Sequence, residues 1–431
     1  MYAKYKSVSL IVRIIIGLAV GSLLAWLVPS WTAIGILGQL FVGALKGIAP
    51  VMVFFLIMSA VSGYKSGATN HFGTVIILYL SATLLSAFAA VGASYLFPVH
   101  LVLPKAAHVA AAAAPKSLGK VLSDLLTNAV GNPLAAIVNA NYLSILFWAL
   151  MIGFALRLTS KQTRSVIKEI SGAITGVAQT VIQFAPFGIA GLIYNTISET
   201  GFAGVARYGQ LVLLLVGTMT FVYLVVYPLM VFGLTHQNPY PLTLWTLKRS
   251  GIPAFFTRSS AVNIPINLQA CEDLGLNKSS YSVSIPLGGS ANSGGAAITV
   301  SVMTLAACTT LGIHVSFPLA FLLCLLTALA ATGASGIAGG SLLIIPMAAS
   351  LFGINNDIAM QVVGIGFIIG VIQDSVETAV NSASDLLFTA TAEYADARKN
   401  GHPVDMKAAV RAAEHQPEPD DALRDAAPQE N

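Results

Sequence analysis

The chain has 431 residues, of which 56% are hydrophobic and only 9% charged, with a formal net charge of +4. An ordinary soluble chain carries about a quarter charged residues, so this composition excludes a soluble globular protein and specifies one whose surface faces lipid. No basic run suits a nucleic acid. Cys271, Cys308 and Cys324, an odd count in or beside apolar stretches without CxxC spacing, argue against disulfides or zinc and for packing.

Apolar segments long enough to cross about 30 Å of hydrocarbon run from Val8 to Val28, Ile34 to Ser62, Thr74 to Phe97, Ile137 to Leu158, Ile174 to Ile197 and Leu211 to Leu234. The first is longer than a signal-peptide core, and Pro29-Ser30-Trp31-Thr32 is no cleavage site, so it reads as an uncleaved span. Lys4, Lys6 and Arg13 flank it, Lys65 follows the second, and Arg157, Lys161, Arg164 and Lys168 cluster after the fourth, which predicts both termini in the cytoplasm. Lys105, Lys116 and Lys120 fall on the opposite side and weaken that bias without reversing it. Arg13 and Lys46 read as structural, snorkelling or polar-lined residues.

After Leu234 the apolar stretches are interrupted at Thr257 to Pro265 and again at Thr332 to Ser341, each flanked by roughly half a membrane length of apolar sequence. Non-helical backbone at membrane depth survives only where protein or a wet cavity satisfies it, so both interruptions predict re-entrant hairpins. A polar-marked span follows each: Val283 to Leu311, with Gly288-Gly289-Ser290-Ala291-Asn292, and Ile358 to Thr389. Hairpin plus helix, occurring twice, predicts inverted repeats that share one site near the midplane. The expected fold is an all-α integral membrane protein of about eight transmembrane helices plus two re-entrant helical hairpins.

The last span carries Asp374, Glu377, Thr378, Asn381 and Asp385 at spacings of three and four, on one helical face. Each central charge costs about 2.5 to 3.5 kcal/mol in a membrane helix, so the stripe predicts a polar cavity or a bound cation. Unwound carbonyls around Gly288 and the Asn292 side chain offer neutral oxygens for a monovalent cation, Asn381 and Asp385 complete that cage, and Asp374 remains for an ammonium group. The Ser259-Ser260 tip and the Gly336 to Ser341 tip look like anion-facing helix ends, and Gly333, Gly336, Gly339 and Gly340 would let the second open as a gate. The alternatives are small residues for helix packing and asparagines that only bond neighbouring helices. Ser259 and Ser260 have no nearby base to make them nucleophiles, so no enzyme activity is expected.

These residues resemble the dicarboxylate/amino acid:cation symporter family over nearly the whole chain to about Ala392. The likeness is strongest from Thr257 to Leu387, in the Arg258-Ser259-Ser260 tip, Pro286-Leu287-Gly288, the Gly-rich second tip and the Asp-x-x-x-Thr-x-x-Asn-x-x-x-Asp pattern of Asp374 to Asp385. Within the family it is greatest to bacterial serine/threonine:sodium symporters, through Asp374-Ser375-Val376-Glu377-Thr378 and Gly333 to Gly340. The resemblance implies a homotrimer in the bacterial inner membrane, in contact with lipid and free of organic cofactors. It implies a static scaffold of residues 1–62 and 117–200, a transport domain of 72–99 and 203–392 that moves as an elevator, and a charged cytoplasmic tail, 393–431. Asp374 falls where the family holds the substrate amino group, and Asn381 and Thr378 where it holds the carboxylate and nearby polar atoms. Arg258, Ser259, Ser260, Ile337 and Gly339 fall at the hairpin tips. Sodium, the coupling ion, has one cage at Gly288, Asn292, Asn381 and Asp385, and a second in the carbonyls of Ser290, Ala331, Thr332 and Ala334.

The departures narrow the substrate. Glu377 stands where acidic-substrate members carry an Arg, and Ala296 where they carry a Thr, so a small neutral hydroxy amino acid is expected: a charged Glu377 repels a dicarboxylate and accepts from a hydroxyl, and a Glu377 protonated by burial donates instead, with exclusion of dicarboxylates resting on the missing Arg. Gly294 replaces an Asp of a deeper sodium site, and Leu84-Leu85-Ser86 keeps that site's donors only in part, which predicts weaker sodium coupling. The expected function is sodium-driven import of serine or threonine; the alternatives are a dicarboxylate symporter and, from another class, a channel. Residues from Glu393 onward are expected to be disordered or loosely helical.

Overall fold

The computed structural model describes residues 8, 10–63, 70–103, 127, 130–334 and 339–415, and all regular structure among them is helical. The chain opens with α1 (Leu10–Leu27), α2 (Gly35–Gly63) and α3 (Asn70–Leu96), followed by a short α4 (Pro133–Val138), α5 (Tyr142–Leu156) and α6 (Lys161–Gln183). Next, α7 (Ala185–Phe221) passes through a π turn into α8 (Tyr227–Thr235). The first hairpin is α9 (Tyr240–Thr246), a π turn, α10 (Ile252–Thr257) and the returning α11 (Ser260–Asp273). Then come α12 (Lys278–Ala291), α13 (Gly294–Thr310), α14 (Phe317–Ala334), a 3₁₀ turn at Ser341–Ile344, α15 (Ile345–Ser350), α16 (Asn356–Lys399) and α17 (Met406–Glu414).

Among the described residues, five helices are long and apolar enough to cross a membrane, six if the pair bent by 54° between Gln183 and Ala185 counts as one span. Several expected spans are therefore broken, each for a local reason. The fourth divides at Asn139 to Asn141, where Ala140 turns left-handed (φ 52°) and Asn141 caps the next helix through Ser144 N. The fifth bends at Phe184, two residues before Pro186, whose missing N–H suits the first turn of a new helix. The span from Val283 to Leu311 breaks at Asn292 and Ser293, which leave helical backbone between α12 and α13. The last span runs unbroken as α16.

Two packing groups emerge. In one, α2 lies against α5, α6 and α7, and α1 against α7. The α2 and α7 backbones touch: a Cβ on Gly191 would stand 2.4 Å from Gly38 N and 2.8 Å from Ile34 O. Arg13 of α1 donates to Gln183 Oε1 at 2.9 Å and Val8 O at 3.0 Å, in keeping with a structural role. In the other group α13, buried from Gly294 through Cys308, is surrounded by α3, α14, α15 and α16.

The groups meet where α14 packs on α2 and α15 on α5, and along the first half of α16, which packs on α2 and α7. There Phe41 and Phe367 contact edge to face at 5.1 Å, and an exposed ion pair joins Lys46 to Asp357. A Cβ on Gly364 would find only ordinary van der Waals contact, 3.6 Å from Leu192 Cδ1. All three cysteines are buried and free.

The first hairpin turns at Arg258 (φ 52°) and the extended Ser259, whose hydroxyl caps Val262 N at 3.4 Å. Its interruption is thus two residues, shorter than the expected Thr257 to Pro265, because Pro265 is accommodated inside α11. Buried amides pin it: Asn263 Nδ2 donates to Ser250 O at 3.2 Å and Ser382 Oγ at 2.7 Å, and Asn267 Nδ2 to Ser382 O at 3.0 Å. In the second hairpin, α14 packs against the 3₁₀ turn and α15; residues 335–338 of its tip lie outside the described residues.

The expectation for the tail is corrected. Beyond Glu393, α16 continues to Lys399, and α17 docks on α9 and α11 with Met406, Val410 and Ala413 buried. Gln237 clamps the connection, donating to Val404 O at 2.7 Å and accepting from Met406 N at 3.1 Å. The acid count concealed an apolar stripe at spacings of four and three, which folds once α11 offers a partner.

Candidate functional site

The buried face of α16 brings the carboxylate stripe against both hairpins. Asp374 accepts Arg258 Nε and Nη2 on Oδ2, each at 2.7 Å, and Gly339 N on Oδ1 at 3.1 Å. One carboxylate thus joins the first hairpin tip, the returning arm of the second and α16. Arg258 and Asp374 are 8% and 2% exposed, so the pair is shielded from solvent and each charge depends on the other.

One turn later Glu377 Oε2 gathers three donors: Gln373 Nε2 at 2.6 Å, Thr299 Oγ1 at 2.7 Å and Ser341 Oγ at 2.8 Å. Ala296 is buried on the neighbouring helix α13. Thr378 spends its hydroxyl on Asp374 O at 2.7 Å, within its own helix. Asn381 Oδ1 accepts Gly295 N at 2.8 Å, fixing the start of α13 against α16.

Asp385, Asn292 and Gly288 form a second cluster below. Asn292 Nδ2 donates to Asp385 Oδ1 at 2.9 Å, Ser384 Oγ at 2.7 Å and Asn381 O at 3.3 Å, while its own Oδ1 is buried without a partner among the described residues. Gly288 is required by close approach, since a Cβ there would stand 2.6 Å from Asp385 Oδ1 and 2.8 Å from Tyr79 Oη. A buried carboxylate beside an unpaired amide oxygen and helix-end carbonyls is a hard-oxygen donor set, which fits sodium. Carboxylate, amide and carbonyl oxygens are not the donors that a soft metal selects.

The residues expected to supply a second set of carbonyls lie at helix ends. Ala331, Thr332 and Ala334 belong to the last turn of α14, and Ser290 to the last turn of α12, where carbonyls lack intrahelical partners. The two helices pack on each other. Ser259 caps α11, Ser260 is buried at its start, and Ile337 lies outside the described residues.

The space beside Gly294 is filled. A Cβ there would stand 2.1 Å from Tyr227 Oη and 2.7 Å from Ser86 Oγ, and these two buried hydroxyls bond at 3.0 Å. Because Ser86 already donates to Ala82 O at 2.7 Å, Tyr227 is the donor to Ser86. An apolar groove of about 960 Å³ between α3 and α7, with Gly92, Leu96, Leu214 and Phe221 on its walls, includes none of these site residues.

Three side chains at the site carry no motif of their own: Gln373, Thr299 and Tyr227. Of these Gln373 alone had a readable signal, standing four residues before Glu377 on the same face, while Ser341 was visible only as the end of the second tip.

The chain is similar to known proteins over most of its length. The serine/threonine transporter SstT of Lacticaseibacillus paracasei is 70% identical over 413 residues, 96% of this chain and 95% of that protein. That of Enterococcus faecalis is 56% identical over 410 residues, 95% of this chain and 97% of its own length. That of Streptococcus thermophilus is 52% identical over 398 residues, 92% of this chain and 99% of its own. The profile of the sodium:dicarboxylate symporter family matches residues 10–394, and the chain belongs to that family.

Proposed function

We propose that the protein is a sodium-coupled symporter that imports serine or threonine. The observation that carries this is Glu377: a buried acidic side chain, held by three donors, beside the carboxylate of Asp374. A second acid next to the ammonium-binding one repels a substrate side-chain carboxylate in a low-dielectric site, whereas it accepts a hydrogen bond from a hydroxyl. The relatives named above as serine/threonine transporters support the same substrate class.

In this mechanism the substrate ammonium joins Asp374, its carboxylate is held by Asn381, Thr378 and the tip around Ser259 and Ser260, and Ile337 and Gly339 line the gate. Sodium sits among Gly288, Asn292, Asn381 and Asp385, and a second ion beneath the tip at the carbonyls of Ser290, Ala331, Thr332 and Ala334. An ion that favours the closed tip raises substrate affinity, and the substrate raises ion affinity by the same factor. The filled space at Gly294 supports fewer coupled ions than a family member with an Asp there carries. Residues 1–62 and 117–200 act as the scaffold of a homotrimer in the bacterial inner membrane, with both termini cytoplasmic. Residues 72–99 and 203–392 move as an elevator, with the hairpins re-entrant.

Purified protein in vesicles, challenged with serine, threonine, alanine and aspartate with and without an inward sodium gradient, tests this. Saturable serine and threonine uptake that needs the gradient is expected. Aspartate uptake exceeding serine uptake, or conduction without sodium, overturns it.

A further inference from the structure

The donors around Glu377 have a definite proton order. Gln373 Nε2 has two protons and two acceptors in reach, Glu377 Oε2 at 2.6 Å and Thr299 Oγ1 at 2.7 Å. With its lone pair fed by Gln373, the single Thr299 proton goes to Glu377 at 2.7 Å rather than to Gly295 O at 3.1 Å. Ser341 supplies the third donor from the second hairpin. All converge on one oxygen; among the described residues nothing donates to Glu377 Oε1.

Gln373 meanwhile strands its own carbonyl, which is buried without a partner among the described residues. Such an orphan costs free energy that an aliphatic side chain would avoid, so the residue is kept for its two donated bonds rather than for packing.

We propose that Gln373, Thr299 and Ser341 are positioning residues that hold Oε2 of Glu377 and so aim Oε1 at the substrate's side-chain hydroxyl. They set the preference for a hydroxylated amino acid over its deoxy counterpart. This rests on the serine/threonine reading above. Because Ser341 is on the hairpin arm that also presents Gly339 to Asp374, the hydroxyl is recognised only when that arm is seated.

The test is a comparison of L-serine and L-alanine as competitors of sodium-driven serine uptake, in the parent and in Thr299→Val, Gln373→Met and Ser341→Ala. Each variant is expected to weaken serine about tenfold, the size of one lost hydrogen bond to a charged group, and to leave alanine within about twofold. Thr299→Ser and Ser341→Thr, which keep the hydroxyl, restore the preference. If Thr299→Val does not reach the membrane, Ser341→Ala carries the comparison from a separate segment. Equal losses for serine and alanine, or undiminished discrimination in the variants, overturn the proposal. A parent that shows no sodium-dependent serine uptake overturns the functional reading itself, so the two failures are distinguishable.

Discussion

Arg258 and Asp374, 116 residues apart in sequence, meet through two contacts of 2.7 Å in a nearly dry environment. The acid assigned to the substrate ammonium therefore already holds a cation supplied by the first hairpin. A zwitterion entering the site competes with a guanidinium or displaces it. The pair also compensates each buried charge with the other.

Removing Arg258 leaves Asp374 with only the Gly339 N–H. Arg258→Ala is expected to cost stability on the order of 3 kcal/mol, and added serine should recover more of the melting temperature in this variant than in the parent. Thermal unfolding of the detergent-purified protein with and without serine measures both. An identical serine-induced shift in the two proteins would place the ammonium elsewhere.

Substrate choice should follow charge at one position. In Glu377→Arg with Ala296→Thr, the acid-repelling wall becomes acid-attracting, while Thr299, Ser341 and Gln373 lose their acceptor. Serine affinity is expected to fall at least about tenfold, with aspartate uptake appearing. Competition assays in vesicles with an inward sodium gradient check this, and unchanged serine affinity would refute it.

At Gly294 the obstacle is steric. Gly294→Asp forces a Cβ into the Tyr227 and Ser86 hydroxyls and is expected to destabilise by about 1 to 3 kcal/mol. Adding Tyr227→Phe removes the nearer oxygen, recovers part of the melting temperature and makes the sodium dependence of uptake steeper. A sodium Hill slope equal to the parent's in the double variant would show that this space is not what limits ion number.

Deleting residues 400–431 strips α17 from the first hairpin and leaves Gln237 without Val404 and Met406. A net loss of about 2 kcal/mol is expected from the uncovered apolar surface, less the ordering cost regained. Sodium-driven serine uptake should keep its half-saturation concentration, since α17 touches none of the carboxylates. A large change in that concentration would give the tail a role in transport.

How much was legible beforehand depended on whether the signal was local. The stripe from Asp374 to Asp385 announces itself because charge at helical spacing in an apolar span has few explanations. The turn at Arg258-Ser259 was likewise visible as a polar interruption, whereas the unwinding expected around Gly288 falls instead at Asn292 and Ser293, with Gly288 O still accepting Asn292 N at 2.9 Å. Hidden were the partners chosen by tertiary packing: Arg258 on Asp374, Ser341 on Glu377 and Tyr227 beside Gly294 join segments far apart in sequence. The bend at Phe184 was missed because hydropathy averages over a window and does not weigh a proline's missing donor. The docking of α17 was missed because net acidity outweighed three apolar residues.

The backbone contact between Gly38 and Gly191 bears on how such a molecule moves. Main chain pressed on main chain, with no side chains between, leaves no rotamers to rearrange, so α2 and α7 shift past one another only by coming apart. Across the other seam, Gly364 meets Leu192 at an easy distance, and one solvated ion pair is soon exchanged for water. In the proposed elevator the first contact belongs to the part that stays fixed and the second to the surface that slides, and a bulkier residue at Gly191 is expected to force α2 and α7 apart without touching the substrate site.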